Sequence, residues 1–577
     1  MVSRRVTLSK LPRLFPAKRH WTWIGTLSIL VFCLRSGSAD RPSPTNRWPT
    51  FVDVAQESGL HFLHRSSATS NKYLVETMGS GVGLLDYDGD GYLDIFLLNG
   101  AKIETEMKPG MSPDKSQSPY WNRLFRNNHD WTFTDVTERA GVQGKGYSMG
   151  VAVGDYDNDG RPDLYVTAFP SNQLYWNKGD GTFVDVTARA GVGGGGWSSS
   201  AGFFDYDNDG NLDLFVCRYM EWDFHDISCG RPELRSYCDP KQFPAISNLL
   251  YKNQGNGTFL DVTRTSGIGE HPSKGLGVAF NDFDGDGWTD IMVANDGVPQ
   301  SLFRNNRNGT FTEQALLAGA AYDENGNTFA GMGIDFADYD DDGWPDIFIT
   351  TLSLEKYALF RNLGGKGFDY VTNRSGIGKA SRLTAGWGAF FFDADNDGWK
   401  DIFVAQGHVM DTIESTNPTL RYMQSPSLLR NLRGRFQDVS QESGKPFSVP
   451  QAGRGAAFGD LDNDGNLDLV VVDLDRPVQV LRNKGGQDPG WITLNLSSPH
   501  SNRDAVGAKI QVESEPGHVQ FGYVTRAVGY LSSSDVRTHF GLGDASVVQR
   551  IKIRWPSGSV QTLESVPARR FLKLSEP

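Results

Sequence analysis

One acidic motif recurs seven times along the chain and constrains the fold more than any other feature. Each copy has aspartate at loop positions 1, 3, 5 and 9 and glycine at position 6. The copies begin at Asp86, Asp155, Asp205, Asp282, Asp338, Asp393 and Asp460. A short apolar run follows each copy, which is typical of a strand buried on both faces. Self-similarity at this spacing indicates one repeat architecture instead of several unrelated domains.

Two further elements share the period of the acidic motif. One resembles Leu-Phe-Arg-Asn and the other resembles Phe-x-Asp-Val-Thr, and turns such as Gly179-Asp180-Gly181-Thr182 separate them. Two strand-like runs joined by Asp-Gly or Asn-Gly predict a hairpin. Each unit is therefore expected to contain four strands. Four strands repeated seven times predict an all-β fold, a seven-bladed β-propeller over residues 50–485.

A small residue lies five positions before the first aspartate of every unit. Such residues suit inner strands that crowd around a central channel. They are Gly81, Gly150, Ser200, Gly277, Gly333, Gly388 and Gly455.

The order of the elements also predicts how the ring closes. A Phe-x-Asp-Val run at residues 51–54 precedes the first acidic loop, whereas residues 480–483 follow the last loop without an outer-strand partner. We expect the first strand to complete the seventh blade beside residues 480–483, because closure removes an exposed sheet edge.

The acidic loops are predicted to bind Ca²⁺. Carboxylates at positions 1, 3, 5 and 9 place oxygen donors around one point, and position 7 varies so much that only its backbone carbonyl is a shared donor. Oxygen ligands alone suit Ca²⁺ better than Mg²⁺ or Zn²⁺. The loop begins like an EF-hand loop, but strands flank it and Leu97 stands where the twelfth-position glutamate belongs.

The alternative is that these aspartates are ordinary turn residues. Converging carboxylates without a cation would repel one another in all seven copies, so we predict up to seven structural Ca²⁺ ions. The predicted ligands are Asp86, Asp88, Asp90, Tyr92 and Asp94; Asp155, Asp157, Asp159, Arg161 and Asp163; Asp205, Asp207, Asp209, Asn211 and Asp213; Asp282, Asp284, Asp286, Trp288 and Asp290; Asp338, Asp340, Asp342, Trp344 and Asp346; Asp393, Asp395, Asp397, Trp399 and Asp401; and Asp460, Asp462, Asp464, Asn466 and Asp468.

Composition excludes several classes of protein. The mean hydropathy of −0.41 does not suit a polytopic membrane protein. The net charge is −13, although residues 1–39 contain seven basic residues and no acidic one. Nucleic-acid binding needs a basic footprint, so it is not expected.

The first 39 residues have the order of a secretory signal: a basic stretch, an apolar run at residues 21–34, and small residues ending at Ala39. We expect a cleaved signal peptide and a secreted, extracellular or periplasmic protein. The alternative is an uncleaved membrane anchor formed by residues 21–34. Residues 40–49, which contain three prolines, are predicted to be a linker.

The chain has four cysteines. Cys33 lies in the leader. Cys229 and Cys238 are close together in a loop-like insertion at residues 218–247, and they could form a disulfide in an exported chain. Cys217 ends a strand-like run and is either a buried free thiol or a partner of one of the other two.

The tail, residues 490–577, alternates apolar and polar residues, as in the stretch at residues 491–496. This pattern predicts a small antiparallel β domain. The domain either packs on the propeller or binds a ligand of its own.

The repeats resemble the FG-GAP/VCBS family, whose blades build integrin-type propellers with Ca²⁺ in the same kind of loop. Residues 502–510, 529–532, 539–543 and 554–558 of the tail resemble the ASPIC/UnbV domain. The combination, together with the cysteine-containing insertion, is similar to the cartilage acidic protein family. The resemblance implies the fold and the calcium sites, but it implies no biochemical activity, because these families have no uniform one.

The sequence contains few candidates for catalytic residues. Residues 146–150 match G-x-S-x-G, but Ser148 occupies a position where the other units carry glycine or Ser198. His61, His64 and His408 are candidates for the channel mouth, and His539 belongs to the tail motif.

We therefore expect a non-catalytic extracellular binding, adhesion or scaffold module for a protein or glycan ligand. Trp288, Trp344 and Trp399 are candidates for stacking on sugars, and packing within the blade is the alternative. Two other functions remain open: a carbohydrate-active lyase or hydrolase with its site over the channel, and a membrane-anchored assembly factor. A membrane contact is expected only through an uncleaved N-terminal segment.

Overall fold

The computed structural model describes residues 48–224, 229–231, 233–486, 489–515 and 517–577. The predicted signal peptide or anchor, Cys33 and most of the predicted linker lie outside the described residues. No helix within the described ranges is long and apolar enough to cross a membrane.

Strand β1 (Phe51–Asp53) opens the described chain, and six complete four-stranded antiparallel blades follow it. Blade 1 contains β2 (Val82–Leu85), β3 (Asp94–Leu97), β4 (Arg123–Asn127) and β5 (Phe133–Asp135), and blade 2 contains β6 (Tyr147–Gly154), β7 (Asp163–Phe169), β8 (Gln173–Asn177) and β9 (Phe183–Asp185). Blade 3 contains β10 (Ser198–Phe204), β11 (Asp213–Arg218), β14 (Leu249–Asn253) and β15 (Phe259–Asp261). A hairpin of β12 (Cys229–Arg231) and β13 (Leu234–Ser236) is inserted between β11 and β14. Blade 4 contains β16 (Gly275–Asn281), β17 (Asp290–Asn295), β18 (Ser301–Asn305) and β19 (Phe311–Glu313). Blade 5 contains β20 (Ile334–Ala337), β21 (Asp346–Ile349), β22 (Ala358–Asn362) and β23 (Phe368–Tyr370). Blade 6 contains β24 (Gly386–Phe392), β25 (Asp401–Gln406), β26 (Ser427–Asn431) and β27 (Phe436–Asp438).

The seventh blade closes the ring as the sequence predicts. It contains β28 (Gly453–Gly459), β29 (Asp468–Asp473) and β30 (Gln479–Asn483), and β1 is its fourth strand. Phe51 pairs with Asn483 and Asp53 pairs with Leu481 in an antiparallel ladder. The inner strands contact one another around the ring, with β28 against β2. The described chain is therefore a closed seven-bladed β-propeller.

Short helices lie in the loops between strands, both within blades and between them. They are α1 (Thr137–Ala140), α2 (Thr187–Ala190), α3 (Ala315–Ala318), α4 (Ile377–Ser381) and α5 (Ile413–Thr416), with 3₁₀ turns at Leu74–Thr77, Ser118–Tyr120, Pro240–Gln242, Ile268–Glu270, Ser440–Glu442 and Lys445–Ser448. The insertion of blade 3 is joined by a disulfide between Cys229 and Cys238, whereas Cys217 is a buried free thiol.

The hydrophobic core lies between adjacent blades. One cluster joins Val82 and Ile95 of blade 1 to Val470 and Val480 of blade 7, and all four side chains are fully buried. Because each blade packs on two neighbours, its second strand is apolar on both faces, which explains the uninterrupted apolar runs in the sequence.

A recurring hydrogen bond at the end of the third strand of each blade connects that blade to the preceding one. The asparagine that ends the Leu-Phe-Arg-Asn element donates from Nδ2 to a backbone carbonyl at loop position 2 of the preceding blade. The seven pairs are Asn127 to Leu461, Asn177 to Tyr87, Asn253 to Tyr156, Asn305 to Tyr206, Asn362 to Phe283, Asn431 to Tyr339 and Asn483 to Ala394, at 2.7–3.0 Å. The first of these pairs spans the closure between blades 7 and 1.

Replacing one of these asparagines is expected to weaken the ring. Asn253 is 1% exposed and donates to the carbonyls of Tyr156 (2.7 Å) and Leu212 (2.9 Å), while its Oδ1 accepts from Gly255 N (2.9 Å). Asn253→Ala leaves these buried groups unpaired, so we expect the free energy of unfolding to fall by about 2–4 kcal/mol. Urea denaturation in Ca²⁺ measures this loss. The exposed neighbour supplies the control: Gln254→Ala should leave the midpoint unchanged, and equal midpoints for both variants would contradict the inter-blade role.

The tail forms a separate β domain. It contains β31 (Gly490–Ser497), β32 (Lys509–Glu515), β33 (His518–Tyr523), β34 (Thr538–Gly543), β35 (Val547–Arg554), β36 (Val560–Pro567) and β37 (Arg570–Ser575). One sheet has the order β34-β31-β37 and the other β33-β32-β35-β36. The prediction of an antiparallel domain is wrong for one ladder, because β31 and β37 are parallel. The chain passes through five strands between them, which supplies the long crossover that a parallel pair needs.

The tail domain packs on the propeller and fills its channel. Residues 526–535, between β33 and β34, are called the channel plug here. Within it Tyr530 and Leu531 are fully buried. Gly529 N donates to Ile334 O of blade 5 (2.6 Å), and Ser533 N donates to Val82 O of blade 1 (2.9 Å). Of the two roles that the sequence left open for this domain, packing on the propeller is therefore confirmed.

The small inner-strand residues make room for the channel plug as well as for neighbouring strands. A Cβ on Gly81 would lie 1.6 Å from Leu531 O. A Cβ on Gly333 would lie 1.8 Å from Trp387 O of the next blade. The crowding inferred from the sequence is present, and part of it comes from the tail.

Candidate metal centres

The acidic loops connect the first and second strands of each blade, so all seven lie at one end of the ring. Loop position 6 has a left-handed backbone in every copy, as at Gly91 (φ 93°) and Gly465 (φ 89°). Position 4 is also left-handed, as at Asn158 (φ 59°) and Asn463 (φ 57°). Glycine, asparagine and aspartate tolerate this conformation best. Their recurrence at position 4 is a signal that the sequence analysis missed.

Backbone N–H groups hold the first and ninth aspartates of each loop in place. In blade 1, Asp86 accepts from Asp90 N (3.0 Å) and Gly91 N (2.9 Å). Asp94 accepts from Tyr87 N (3.0 Å) and Asn127 N (2.8 Å). The same bonds recur around the ring, so the loop geometry is set by the backbone.

This geometry gathers the predicted ligands. Groups of three carboxylates offer oxygen atoms that all lie within 4.8 Å of one another. Five of the groups are Asp86, Asp88 and Asp90; Asp155, Asp157 and Asp163; Asp205, Asp207 and Asp213; Asp282, Asp284 and Asp290; and Asp338, Asp340 and Asp346, and two more occur in the described residues. These aspartate clusters resemble the calcium sites of FG-GAP loops.

The donor set fits a hard divalent cation. The position-3 carboxylates of blades 3, 5 and 7 each have a buried oxygen, Oδ1 of Asp207, Asp340 and Asp462, with no hydrogen-bond partner in the described residues. A buried polar atom without a partner is costly, and a coordinated cation would satisfy it. Only oxygen donors are present, which suits Ca²⁺. The position-7 residues donate their N–H groups to position 5, as Tyr92 N does to Asp90 Oδ1 (3.0 Å).

A basic side chain from the third strand pairs with the aspartates at positions 3 and 5. Arg304 bonds Asp284 (2.6 Å) and Asp286 (3.3 Å) in blade 4. Arg126, Lys252, Arg361, Arg430 and Arg482 occupy the same place in five other blades. Blade 2 has Trp176 there, and Arg161 of the loop pairs with Asp159 instead. The arginine of Leu-Phe-Arg-Asn is the signal for this pairing, which offsets one of the four negative charges in each loop.

Burial raises the pKa of many loop carboxyls. The pKa of Asp155, Asp205 and Asp338 rises to about 7, chiefly because burial removes water from the charged form. Burial raises that of Asp460 to about 8, and the position-9 aspartates, such as Asp468, lie well above their ordinary range. Without a cation, the folded state therefore favours protonated carboxyls at position 9 and at Asp460 at neutral pH.

The chelated protein is expected to lose stability as pH rises. A carboxyl whose pKa is higher in the folded state than in the unfolded state stabilises the fold at low pH, and this contribution is lost as pH rises through the folded-state pKa. We expect the melting temperature in chelator to fall as pH rises from about 6.5, the ordinary histidine pKa, to about 8, the folded-state pKa of Asp460. In excess Ca²⁺ it should hold steady or rise, because the cation binds deprotonated carboxylates. Calorimetry at both conditions tests this, and a chelated melting temperature that rises over the window would contradict it.

The other predicted site residues lie apart from these loops. Ser148 is fully buried and accepts a hydrogen bond from Lys115 Nζ (3.0 Å). His64 is also fully buried, whereas His61 is exposed. His539 contacts Asn396 of a blade 6 loop (2.6 Å).

The three tryptophans at loop position 7 differ in their surroundings. Trp344 packs against the loop of blade 4, where a Cβ on Gly285 would meet its ring at 3.1 Å. Trp399 stacks on His518 of the tail domain, with ring centroids 5.2 Å apart. Trp288 is half-buried. Two of the three tryptophan rings that were candidates for stacking on sugars are therefore in contact with other residues of the protein.

The tail domain lies over the acidic-loop end of the ring and touches the residues at position 4. Arg503 N donates to Asn158 Oδ1 (2.8 Å), and Arg537 Nη1 donates to Asn463 Oδ1 (2.8 Å). Lys509 forms an ion pair with Asp282. These contacts leave the opposite end, called the open face here, as the uncovered end of the ring within the described residues.

Comparison with known proteins agrees with this architecture. The model of the FG-GAP-like repeat matches residues 86–166, 166–216, 247–293, 282–349 and 338–404, and the model named ASPIC and UnbV matches residues 498–577. Cartilage acidic protein 1 of Xenopus tropicalis is 25% identical over 332 residues, which cover 56% of this chain and 40% of that protein. The human protein is 23% identical over 330 residues, covering 56% and 39%. The chain thus spans about two fifths of the length of these relatives.

Among solved structures, an Agrocybe aegerita lectin that recognises non-reducing terminal N-acetylglucosamine aligns over 63% of this chain and 88% of its own, with 16% identity and a TM-score of 0.38. The repeat matches cover half of the chain, and the tail match accounts for its end. The chain therefore belongs to the FG-GAP-like repeat family and carries a C-terminal ASPIC and UnbV domain.

Proposed function

We propose that the protein is an exported, calcium-stabilised binding module that holds a protein or glycan ligand on its open face and carries out no catalysis. The observation that carries this proposal is the placement of the tail domain. It lies over the acidic loops and its plug fills the channel, so the open face is the accessible end of the ring.

In this proposal Ca²⁺ has a structural role. The aspartates at positions 1, 3, 5 and 9 and the position-7 carbonyl would hold one ion in each loop, for up to seven ions. In the six blades with a third-strand arginine or lysine, a bound divalent cation neutralises two of the three carboxylate charges that remain after this residue is paired. The ions then fix the loops on which the tail domain rests.

The open face has the features of a binding surface. The disulfide-joined insertion of blade 3 rises beside it and contributes Tyr237, Asp239 and Lys241 to a pocket of about 330 Å³. Loops on a rigid scaffold are where binding residues concentrate. Concave, mostly apolar pockets with a few polar groups are the usual form of a ligand site.

Binding of the secreted chain to arrays of glycans and extracellular proteins, in Ca²⁺ and in chelator, tests this function. We expect calcium-dependent binding that is lost when Tyr237 is replaced by Ala and kept when Val560, an exposed tail residue, is replaced by Ser. Binding that disappears only with changes on the tail domain would contradict the assignment to the open face.

A turnover assay on any sugar that binds distinguishes the proposed binding role from that of a lyase or hydrolase. Turnover abolished by one substitution in the pocket would replace the binding role with an enzymatic one. N-terminal sequencing of the exported chain separates secretion from anchoring, because cleavage after Ala39 removes the apolar run at residues 21–34.

A further inference from the structure

The pocket on the open face has an aromatic and aliphatic interior. Trp387, Leu276 and Met332 line its floor, and the Trp387 ring packs on Tyr530 of the channel plug with centroids 5.0 Å apart. Tyr219 and Tyr237 lie on its walls. The channel plug therefore packs against Trp387, one of the residues that line the pocket.

Three carboxylates line this apolar pocket: Asp239, whose Oδ1 accepts from Lys241 N (2.9 Å), and Asp296 and Glu355, each of which has one oxygen in use. Asp296 Oδ2 accepts from Tyr219 Oη (2.5 Å), while Glu355 Oε2 accepts from Ala330 N (3.1 Å) and Leu352 N (3.3 Å). The second oxygen of Asp296 and of Glu355 makes no hydrogen bond in the described part of the chain. Burial raises the pKa of both groups, to about 7 for Glu355, and each is without an ion pair there.

The nearest lysines do not neutralise these carboxylates by contact. Lys274 Nζ donates to Pro240 O (2.6 Å), and Lys241 is exposed beside Gly297. Carboxylates in an apolar pocket are costly when charged, and an opposite charge within reach offsets that cost.

His408 provides a second polar group in the pocket. It is only 7% exposed, and its Nδ1 accepts from Met410 N (3.0 Å). Burial lowers its pKa to about 4, so the ring is neutral and Nε2 carries the proton. Nε2 has no partner in the described residues, and it is available as a donor to an oxygen atom of a ligand in the pocket that His408 lines.

We propose that this pocket binds a compact organic ammonium ion whose cation pairs with Asp296 and Glu355, whose apolar body packs on Trp387 and the tyrosines, and whose oxygen atom accepts from His408. A free amino group of a protein ligand has this chemistry. The inference thus rests on the binding role of the open face, but it concerns the pocket alone.

Isothermal titration with phenylalaninamide and 3-phenylpropionamide tests the proposal. The two probes share the aromatic body and the carbonyl oxygen, and they differ in the ammonium group. We expect saturable binding of phenylalaninamide, and at least roughly tenfold weaker binding of the neutral probe, since a charge-assisted hydrogen bond is lost. Equal affinities, or no saturable binding of phenylalaninamide, would overturn the proposal.

The double variant Asp296→Asn with Glu355→Gln gives a matched second measurement. Both replacements keep an acceptor for the existing hydrogen bonds, so the calcium-dependent melt should be retained while phenylalaninamide affinity falls at least roughly tenfold. Asp180→Asn, which changes an exposed carboxylate at a hairpin turn outside the pocket, is the control that should not weaken binding. An unchanged affinity in the double variant would overturn the role of the carboxylates. Because no macromolecular ligand is used, failure here is distinct from failure of the array experiment.

Discussion

Chelation of divalent cations is expected to lower the melting temperature of this protein by roughly 20 °C or more, or to leave it unfolded at 25 °C. A site saturated at a hundred times its Kd contributes about 2.7 kcal/mol, and several such sites together match the 5–15 kcal/mol that stabilise a typical protein. The acidic loops also support the tail domain, so their loss loosens both parts of the molecule. Calorimetry in Ca²⁺ and in EGTA measures the effect.

Metal analysis and a matched pair of variants give the control for this experiment. Several Ca²⁺ ions per chain are expected, and Mg²⁺ should restore less stability because it prefers fewer protein ligands. Asp340→Asn changes a position-3 carboxylate whose Oδ1 has no hydrogen-bond partner among the described residues, and should remove about one ion and several degrees of the melting temperature. Asp180→Asn, at an exposed hairpin turn, should change neither. An identical melt with and without chelator would contradict the metal assignment.

Gly81→Val is expected to destabilise the folded chain by at least about 3 kcal/mol, the upper end of the range for overpacking. A Cβ at this position would lie 1.6 Å from Leu531 O, and the neighbouring atoms are backbone that cannot rotate away. The channel plug must then move, and its hydrogen bonds with blades 1 and 5 are lost. Denaturation in Ca²⁺ and limited proteolysis between β33 and β34 measure the two effects.

A second glycine provides the comparison. Gly195 has no atom within 4 Å of a built Cβ and no left-handed backbone, so Gly195→Val should be close to neutral. If Gly81→Val unfolds at the same midpoint as Gly195→Val and its plug remains resistant to protease, the channel is not filled as described.

Much of the fold was predictable because the same sequence elements recur in the same order in each blade. Strand number, blade number and the pairing of residues 51–53 with residues 481–483 all follow from the order of the repeated elements. The positions of the loop aspartates follow as well, because Asp and Gly in a fixed spacing dictate one turn. The asparagine that joins neighbouring blades was visible as a repeated letter, but a sequence pattern does not say which blade its amide reaches.

The channel plug and the open-face pocket were not predictable in the same way. Tyr530 and Leu531 occur once and belong to no repeat, so no periodicity marks their insertion into the ring. Asp296, Glu355 and His408 follow the second strands of three different blades, and only closure of the ring brings them to one pocket. Their spacing along the chain resembles no motif, which is why the sequence offered His408 only as one of several histidines near the channel.

The use of β1 as the outer strand of blade 7 has a consequence for biosynthesis. The ribosome makes β1 before the other described strands, yet its partner β30 is made more than four hundred residues later. During that interval six blades are present and the ring is open, with an unpaired edge at each end. A chain cut short before residue 479 keeps these edges permanently. Such fragments should self-associate or be degraded, so nonsense mutations late in the gene are expected to be as damaging as early ones.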